Sequence, residues 1–347
     1  MSGEEKHSII RLKPKVSPDK ILAGFPWVYD NELVLDRRTK QLTSGKIVEL
    51  QDSARNFLAT AVVNPKSKIF ARVITKTANK IGGSELVFKR ISAAKALREG
   101  IFTDPYYRLI NSEADQMPGT IIDRFGDFFV IQPNSVWAEN NLDNITDALV
   151  ELFNPEGIIK NANSRARTLE GLDDCSLLIH GSVPTTPLQV PMNGAIYMAD
   201  LNYGQKTGLF YDQRLNQAFL SSISKNKTVL DVFSHVGGFA LAALVGGAVE
   251  ATAVDASQAA LELAEQGAEV SGFKSALSII KDDGFNALKC LRNEGKKFDI
   301  VICDPPAFAP SRQALSSGLR AYERLARISA GLVEEGGILV LCSCSHA

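Results

Sequence analysis

Phe298-Asp299-Ile300-Val301-Ile302-Cys303-Asp304-Pro305-Pro306-Ala307-Phe308 is a short apolar run that stops on a carboxylate and two prolines. Such a run has the length and character of a strand buried on both faces of a parallel sheet. Neither proline can donate a backbone hydrogen bond, and Pro305 forces Asp304 away from the helical region. The chain therefore leaves the strand as a rigid, irregular loop with Asp304 facing outward. In open α/β sheets, ligands bind at that place, beyond the carboxyl ends of the strands. An ordinary strand-to-loop turn would read the same way in isolation, so the neighbouring stretches must discriminate.

On both sides of this run, from Lys227 onward, strands alternate with helices. Strands are expected over residues 228–233, 250–254, 276–280, 298–303 and 337–342. Helices are expected over 258–270 and 319–333, the latter closed by Gly336 as its C′ residue. The alternation predicts a doubly wound parallel sheet, an α/β fold. After the first strand come Asp231, Phe233 and the pair Gly237-Gly238, opening a helix. Two glycines let the backbone approach a ligand closely, and a helix N-terminus favours an anionic group. The spacing is not GxGxxG, which disfavours a dinucleotide. Asp255 ends the second strand, where an acid commonly accepts ribose hydroxyls. Asp282-Asp283 follow the third, where an acid can accept an adenine amino group. Each acid alone is better read as a helix cap. Together with Asp304 at the fourth strand end, they predict a nucleoside site.

The first part of the chain is different. Residues 8–13 alternate like an edge strand, and Ser17-Pro18-Asp19 is a helix start closed by Gly24. Strand-like runs follow at 45–50, 57–64 and 69–75, making a small β-rich module. Residues 81–84 read as a linker ending in a helix cap. Phe88, Ile91, Ala94, Leu97 and Ile101 then recur at helical spacing. Hairpins are expected around Arg124-Phe125-Gly126 and Asn193-Gly194, with one helix over 136–153 between them. Three domains are therefore expected: 1–80 β-rich, 81–200 α+β, and 201–347 carrying the parallel sheet.

A chain of 347 residues suits several cores, and 45% hydrophobic with 22% charged residues is ordinary for a soluble protein. The polar N-terminus and the lack of a long apolar run argue against a secretory signal and a membrane span, leaving a cytoplasmic location as the expectation. Five cysteines, with no CxxC pair, argue against a disulfide framework and a metal site. Net charge is only −1, yet residues 1–78 hold 14 lysines and arginines against 8 acids. A basic first third suits a phosphate-binding face or a merely solvated surface.

The stretches Gly24-Phe25-Pro26-Trp27-Val28-Tyr29 and Val63-Asn64-Pro65-Lys66-Ser67-Lys68-Ile69 resemble the PUA RNA-binding domain heading a family of ribosomal RNA methyltransferases. Trp27 and Tyr29 are then candidates to stack on bases, although core packing is the better reading for at least one of them. Residues 107–115, 118–124 and 170–172 resemble the central domain of the same family. Lys206-Thr207-Gly208-Leu209-Phe210-Tyr211-Asp212-Gln213-Arg214 resembles its segment covering the cofactor pocket. The resemblance spans nearly the whole chain and points to the large-subunit ribosomal RNA (cytosine-5) methyltransferases, of class I. It departs from the family pattern at Ala307 and at His235-Val236.

The resemblance implies S-adenosyl-L-methionine as cofactor and ribosomal RNA as partner. It assigns cofactor contacts to Asp231, Phe233, Gly237, Gly238, Asp255, Asp283, Gly284, Asp304, Gln213 and Arg214. Base contacts fall to Pro305, Pro306, Phe308 and Trp27. Cys344, within Ser343-Cys344-Ser345, becomes the nucleophile and Asp304 the acid beneath the base. A thiolate added at carbon 6 of cytosine turns carbon 5 into an enamine carbon able to take a methyl group. Cys342 and Cys303 are read as structural. The alternatives are an RNA guanine N-methyltransferase, which needs no such cysteine, and an RNA-binding remnant without turnover. The sheet is expected to stop at its fifth strand, truncated relative to class I enzymes. An exposed edge there would lower stability or be covered in an oligomer, a homodimer in the simplest case.

Overall fold

The structure is a computed structural model describing residues 8–77, 83–201 and 208–345. Residues 81 and 82 of the expected linker, and Lys206 and Thr207 of the segment before the sheet, lie outside the described residues. The chain divides into two compact units between Val183 and Pro184.

The first unit begins with β1 (Ser8–Arg11), α1 (Asp19–Leu22), β2 (Trp27–Tyr29), α2 (Arg37–Lys40), β3 (Ile47–Gln51), β4 (Phe57–Val63) and β5 (Ile69–Thr75). The sheet order is β1-β3-β4-β5-β2, with only β1 and β3 parallel. The cap of α1 falls at Pro18, one residue later than the expected Ser17, whose hydroxyl accepts from the Asp19 amide at 3.2 Å. Ile10, Val48, Leu50, Ala61 and Val63 fill the core of this module. Nearly all of β4 is buried, because its other face also meets apolar partners.

Those partners come from α3 (Ser84–Glu99), β6 (Tyr106–Asn111), β7 (Thr120–Phe125), β8 (Phe128–Pro133), α4 (Val136–Asn140), α5 (Leu142–Phe153), β9 (Gly157–Lys160), α6 (Arg165–Glu170) and β10 (Leu177–Gly181). Their sheet runs β10-β9-β8-β7-β6. Val62 and Ile74 of the β-rich module belong to the same hydrophobic cluster as Ile91, Tyr107, Ile122 and Trp137. The β-rich module keeps a core of its own, while Val62 and Ile74 on its other face join the second cluster across residue 80. The helix expected over 136–153 is broken at Asn141. On α3 the buried stripe is Val87, Ile91 and Ala94, while Leu97 and Ile101 are exposed. The spacing fitted two adjacent stripes, and packing chose the one carrying Val87.

The second unit holds β11 (Leu188–Met192), β12 (Ala195–Ala199), α7 (Arg214–Ile223), β13 (Thr228–Val232), α8 (Gly238–Val245), β14 (Glu250–Asp255), α9 (Gln258–Val270), β15 (Leu277–Lys281), α10 (Gly284–Asn293), β16 (Phe298–Cys303), α11 (Leu315–Ala330) and β17 (Val333–Leu341). The hairpin β11–β12 packs on α8 and α9: the Tyr197 hydroxyl donates to Gly238 O at 3.2 Å, and the Ile196 amide donates to Ser271 Oγ at 2.9 Å. A domain boundary at residue 200 would cut it from its partners. The large sheet is wholly parallel in the order β15-β14-β13-β16-β17. Strand order reverses between β13 and β16, which places the ligand crevice of this fold there.

The last helix ends at Ala330 and β17 begins at Val333, so Gly336 is not a helix cap. It sits, with φ +78°, where the β16–β17 register jumps between Phe298 and Ile300. Such a bulge uses the same left-handed conformation that ends a helix. Among the described residues no helix is long and apolar enough to cross a membrane.

Candidate active site

The loop after β13 is built around Asp231, which is fully buried. One of its oxygens, Oδ2, accepts from the amides of Phe239 at 3.1 Å and Ala240 at 2.9 Å, fixing the start of α8. The other, Oδ1, is buried without a hydrogen-bond partner. Burial pushes the Asp231 carboxyl up to about 7; the charges of Asp304 and Asp255 add to the rise, and the two amides oppose it. Between strand and helix, Phe233, His235 and Gly237 all have positive φ, at +66°, +50° and +76°. Two non-glycine residues in that region mark a backbone held under strain by its surroundings. The His235 amide donates to Asp255 Oδ2 at 2.9 Å, and Asp255 Oδ1 accepts from Ser257 at 2.8 Å.

Close approaches complete this side. A Cβ on Gly284 would lie 2.5 Å from the Phe233 ring, and one on Gly238 would lie 2.8 Å from Gln217 Nε2. Asp283 caps α10, Oδ1 accepting from Phe285 at 3.0 Å and Asn286 at 3.2 Å. Asp283 is thus the N-cap of α10. Asp282 accepts the Asp283 amide at 2.7 Å.

On the other side of the switch point, Asp304 receives Gln213 Nε2 at 2.9 Å on Oδ2, and Asn216 Nδ2 donates to Gln213 Oε1 at 2.7 Å. The Phe210 ring meets the His235 ring edge-on at 4.9 Å. The segment before the sheet is thereby tied to both loops. Arg214 opens α7, and its carbonyl accepts from Asn193 Nδ2 at 2.8 Å.

Cys344 is exposed, its sulfur 3.9 Å from the Pro305 carbonyl oxygen. Pro305 is buried, Pro306 exposed. The half-buried Phe308 ring lies 4.9 Å from Tyr322 and 5.8 Å from Phe285, against the core of the sheet. Trp27, in the other unit, is half-buried, with its indole donating to Glu113 at 2.8 Å and Arg72 over its ring at 5.8 Å. That favours packing over base stacking for Trp27. Cys303 is buried and lies 3.2 Å from Ser329 Oγ. Burial pushes the Cys342 thiol up to about 12, with Asp304 and Asp231 adding to it, so Cys342 stays protonated. Tyr322 was not legible as a site residue: its hydroxyl meets both Ser343 at 3.0 Å and Ser345 at 2.9 Å, partners more than 20 residues away.

A parallel sheet with acids at successive strand tips, a strained glycine loop at the switch point and a small β-rich domain ahead of it define an S-adenosylmethionine-dependent methyltransferase with a PUA-like domain. The profile of PUA-like domains matches residues 10–76, and that of S-adenosylmethionine-dependent methyltransferases matches residues 172–347. The chain belongs to this methyltransferase family, together with proteins called ribosomal RNA large subunit methyltransferase I. It is 36% identical to the Vibrio vulnificus protein of that name over 331 residues, covering 94% of this chain and 83% of the relative. For the Klebsiella pneumoniae protein the identity is 34% over 332 residues, covering 94% and 82%. The fold is shared with a protein described as an S-adenosylmethionine-dependent methyltransferase from Streptococcus mutans, at TM-score 0.81 and 23% identity over 96% of this chain and 85% of that one.

The cofactor is S-adenosylmethionine, and the residues present fit it. Asp231 Oδ1 is a buried acceptor lacking a donor, which suits a cationic ligand. At Gly238 and Gly284 the space a Cβ would need is taken by Gln217 Nε2 and the Phe233 ring, so both positions require glycine for packing.

Proposed function

We propose that the protein methylates carbon 5 of a cytosine in large-subunit ribosomal RNA, with Cys344 as nucleophile. The observation carrying this reading is the 3.9 Å approach of the Cys344 sulfur to the loop that begins at Asp304. The names of the relatives support ribosomal RNA as the substrate class, and the PUA-like domain supports RNA binding.

Asp231, Asp255 and Asp283 would hold the cofactor's amine, ribose and adenine, with Phe233, Gly237, Gly238 and Gly284 shaping the crevice and Gln213 and Arg214 bordering it. Bound there, S-adenosylmethionine supplies an activated methyl group. A base embedded in a duplex would first have to be extruded. The Pro305-Pro306 turn then sets the edge of the base, and Asp304, held by Gln213, takes its ring nitrogen and supports protonation there. The Cys344 thiolate adds to carbon 6 as the ring nitrogen takes a proton, forming a carbon–sulfur bond and an enamine. The enamine carbon 5 takes the methyl group and the nitrogen gives its proton back, with S-adenosylhomocysteine as the leaving group. A base next removes the carbon 5 proton. Those electrons re-form the ring double bond as the carbon–sulfur bond breaks, and Cys344 is regenerated.

The test is bisulfite sequencing of ribosomal RNA from cells lacking the gene, complemented with wild type or with Cys344→Ala. The wild type should restore one methylcytosine and Cys344→Ala should not. Restoration by Cys344→Ala would sink the covalent mechanism and favour chemistry on a different atom.

A further inference from the structure

Helix α11 carries no acid or thiol of the site, yet one of its faces grips both loops that the reaction needs. Gly318 lets it lie against the loop after Asp304: a Cβ there would stand 2.6 Å from Ala309 Cβ and 2.9 Å from Phe308 O. One turn later on the same face, Tyr322 packs its ring against Phe308. Its hydroxyl lies between the hydroxyls that flank the proposed nucleophile, accepting from Ser343 at 3.0 Å and sitting 2.9 Å from Ser345 Oγ. Ser345 Oγ in turn accepts the Ala309 amide at 3.1 Å. The Cys344 peptide is thus bracketed by two serines anchored to one phenol, and that phenol is anchored to the Asp304 loop.

We propose that Tyr322 is the positioning residue for Cys344, its hydroxyl fixing the distance between the sulfur and the base held over Asp304. This role rests on the covalent reading given above. The ring and the hydroxyl have separable tasks. The ring supplies packing against Phe308, which a phenylalanine would keep. The hydroxyl supplies aim, because the exposed end of a strand with two serines would otherwise exchange its hydrogen bonds with water. Misplacing a reacting group by about 1 Å can cost roughly 100-fold in rate. The effect therefore belongs in kcat rather than in the binding of either substrate.

The experiment uses the full chain, S-adenosylmethionine with a labelled methyl group, and ribosomal RNA from cells lacking the gene. Tyr322→Phe should lower kcat by roughly 10- to 100-fold, with the KM for RNA and the cofactor Kd within about twofold of wild type. Alkylation of Cys344 by iodoacetamide, followed by mass spectrometry, should also stay within about twofold, because the thiol is aimed rather than activated. Ser345→Ala should lose kcat similarly, and a double variant carrying Tyr322→Phe and Ser345→Ala should lose little more than the worse single one. Full kcat in Tyr322→Phe beside an inactive Cys344→Ala would overturn the positioning role alone. Loss of cofactor binding in Tyr322→Phe would overturn it too, by showing a general structural role. Activity retained in Cys344→Ala would instead overturn the covalent reading, and this role with it.

Discussion

Gln213 Nε2 donates to Asp304 Oδ2 at 2.9 Å, joining residues 91 positions apart in the chain. Asp304 is only partly buried, and this bond fixes the direction of one of its carboxylate oxygens. Asn216 holds the other end of the amide and fixes which way it faces. A hydrogen bond to a charged partner is worth about 1.5–3 kcal/mol. Gln213→Ala should therefore lower kcat/KM for methyl transfer about 10- to 100-fold. The melting temperature should barely move, because the lost partner is not in the core. An unchanged kcat/KM would show that Asp304 is oriented by other contacts.

The carboxyl of Asp231 makes cofactor binding pH-dependent. Its folded pKa, about 7, lies above the ordinary value of 3.8. Ionising it therefore costs stability as pH rises from about 4 through about 7, and that cost is complete above 7. A ligand bearing a cationic amine favours the ionised form. Affinity for S-adenosylmethionine should consequently strengthen as pH rises from 6 to 8 and level off above. Calorimetry at several pH values checks this, and Asp231→Asn should both weaken binding and flatten the profile.

Gly284 is the position where a methyl group has nowhere to go. Alanine is the better helix former by about 1 kcal/mol, and φ at this residue is not left-handed. Against that, its Cβ would stand 2.5 to 2.6 Å from two carbons of the Phe233 ring. Overpacking of this kind costs about 1–3 kcal/mol. The ring cannot yield easily, since Phe233 already sits at φ +66°. Gly284→Ala should lower the melting temperature and raise the cofactor Kd together. A rise in stability would mean that the Phe233 ring moves freely.

The parallel sheet was legible because each of its strands is a short apolar run ending in an acid or a turn. Helix 258–270 was legible to the residue, since Ser257 is a cap that accepts from Ala260. What failed did so for local ambiguity. A glycine with positive φ marks a helix end and a bulge alike, so Gly336 misled. Asp283 satisfies a helix N-terminus with one oxygen, and the same position was read as an adenine acceptor; a carboxylate has room for both. Tyr322 carried no signal because its partners are fixed by the β16–β17 pairing and the loop after Asp304, not by spacing.

Arg72 is the clamp of the first unit. It reaches Glu113 at 2.8 Å and Glu170 at 3.0 Å, all three largely buried. Burial alone would raise the Glu113 carboxyl, but hydrogen bonds from Ser112 and Trp27 and the Arg72 charge outweigh it and hold it below the usual value. Its contribution to stability is present above about pH 4.5 and is lost as pH falls through the lowered pKa. Arg72→Ala leaves two largely buried carboxylates without their cation, though Trp27, Ser112 and Asn64 still donate to them, at a cost of about 3 kcal/mol. Urea unfolding should show this loss at pH 7 and a smaller one near pH 3.

Thiol labelling separates the five cysteines by burial and charge. Cys175, Cys290 and Cys344 are exposed, whereas Cys303 is buried and Cys342 half-buried. Burial pushes both Cys303 and Cys342 up to about 12, helped at Cys342 by Asp304 and Asp231. The thiolate is the reacting species, so at pH 8 these two hold almost none of it. Brief treatment of the folded protein with iodoacetamide should modify Cys175, Cys290 and Cys344 and spare Cys303 and Cys342. Occupying the crevice with S-adenosylhomocysteine should leave that pattern unchanged at Cys175 and Cys290, which serve as internal references. Rapid labelling of Cys342 in the native protein would mean that its neighbourhood is open and unburdened by carboxylate charge. Cys342 would then compete with Cys344 for the role of nucleophile.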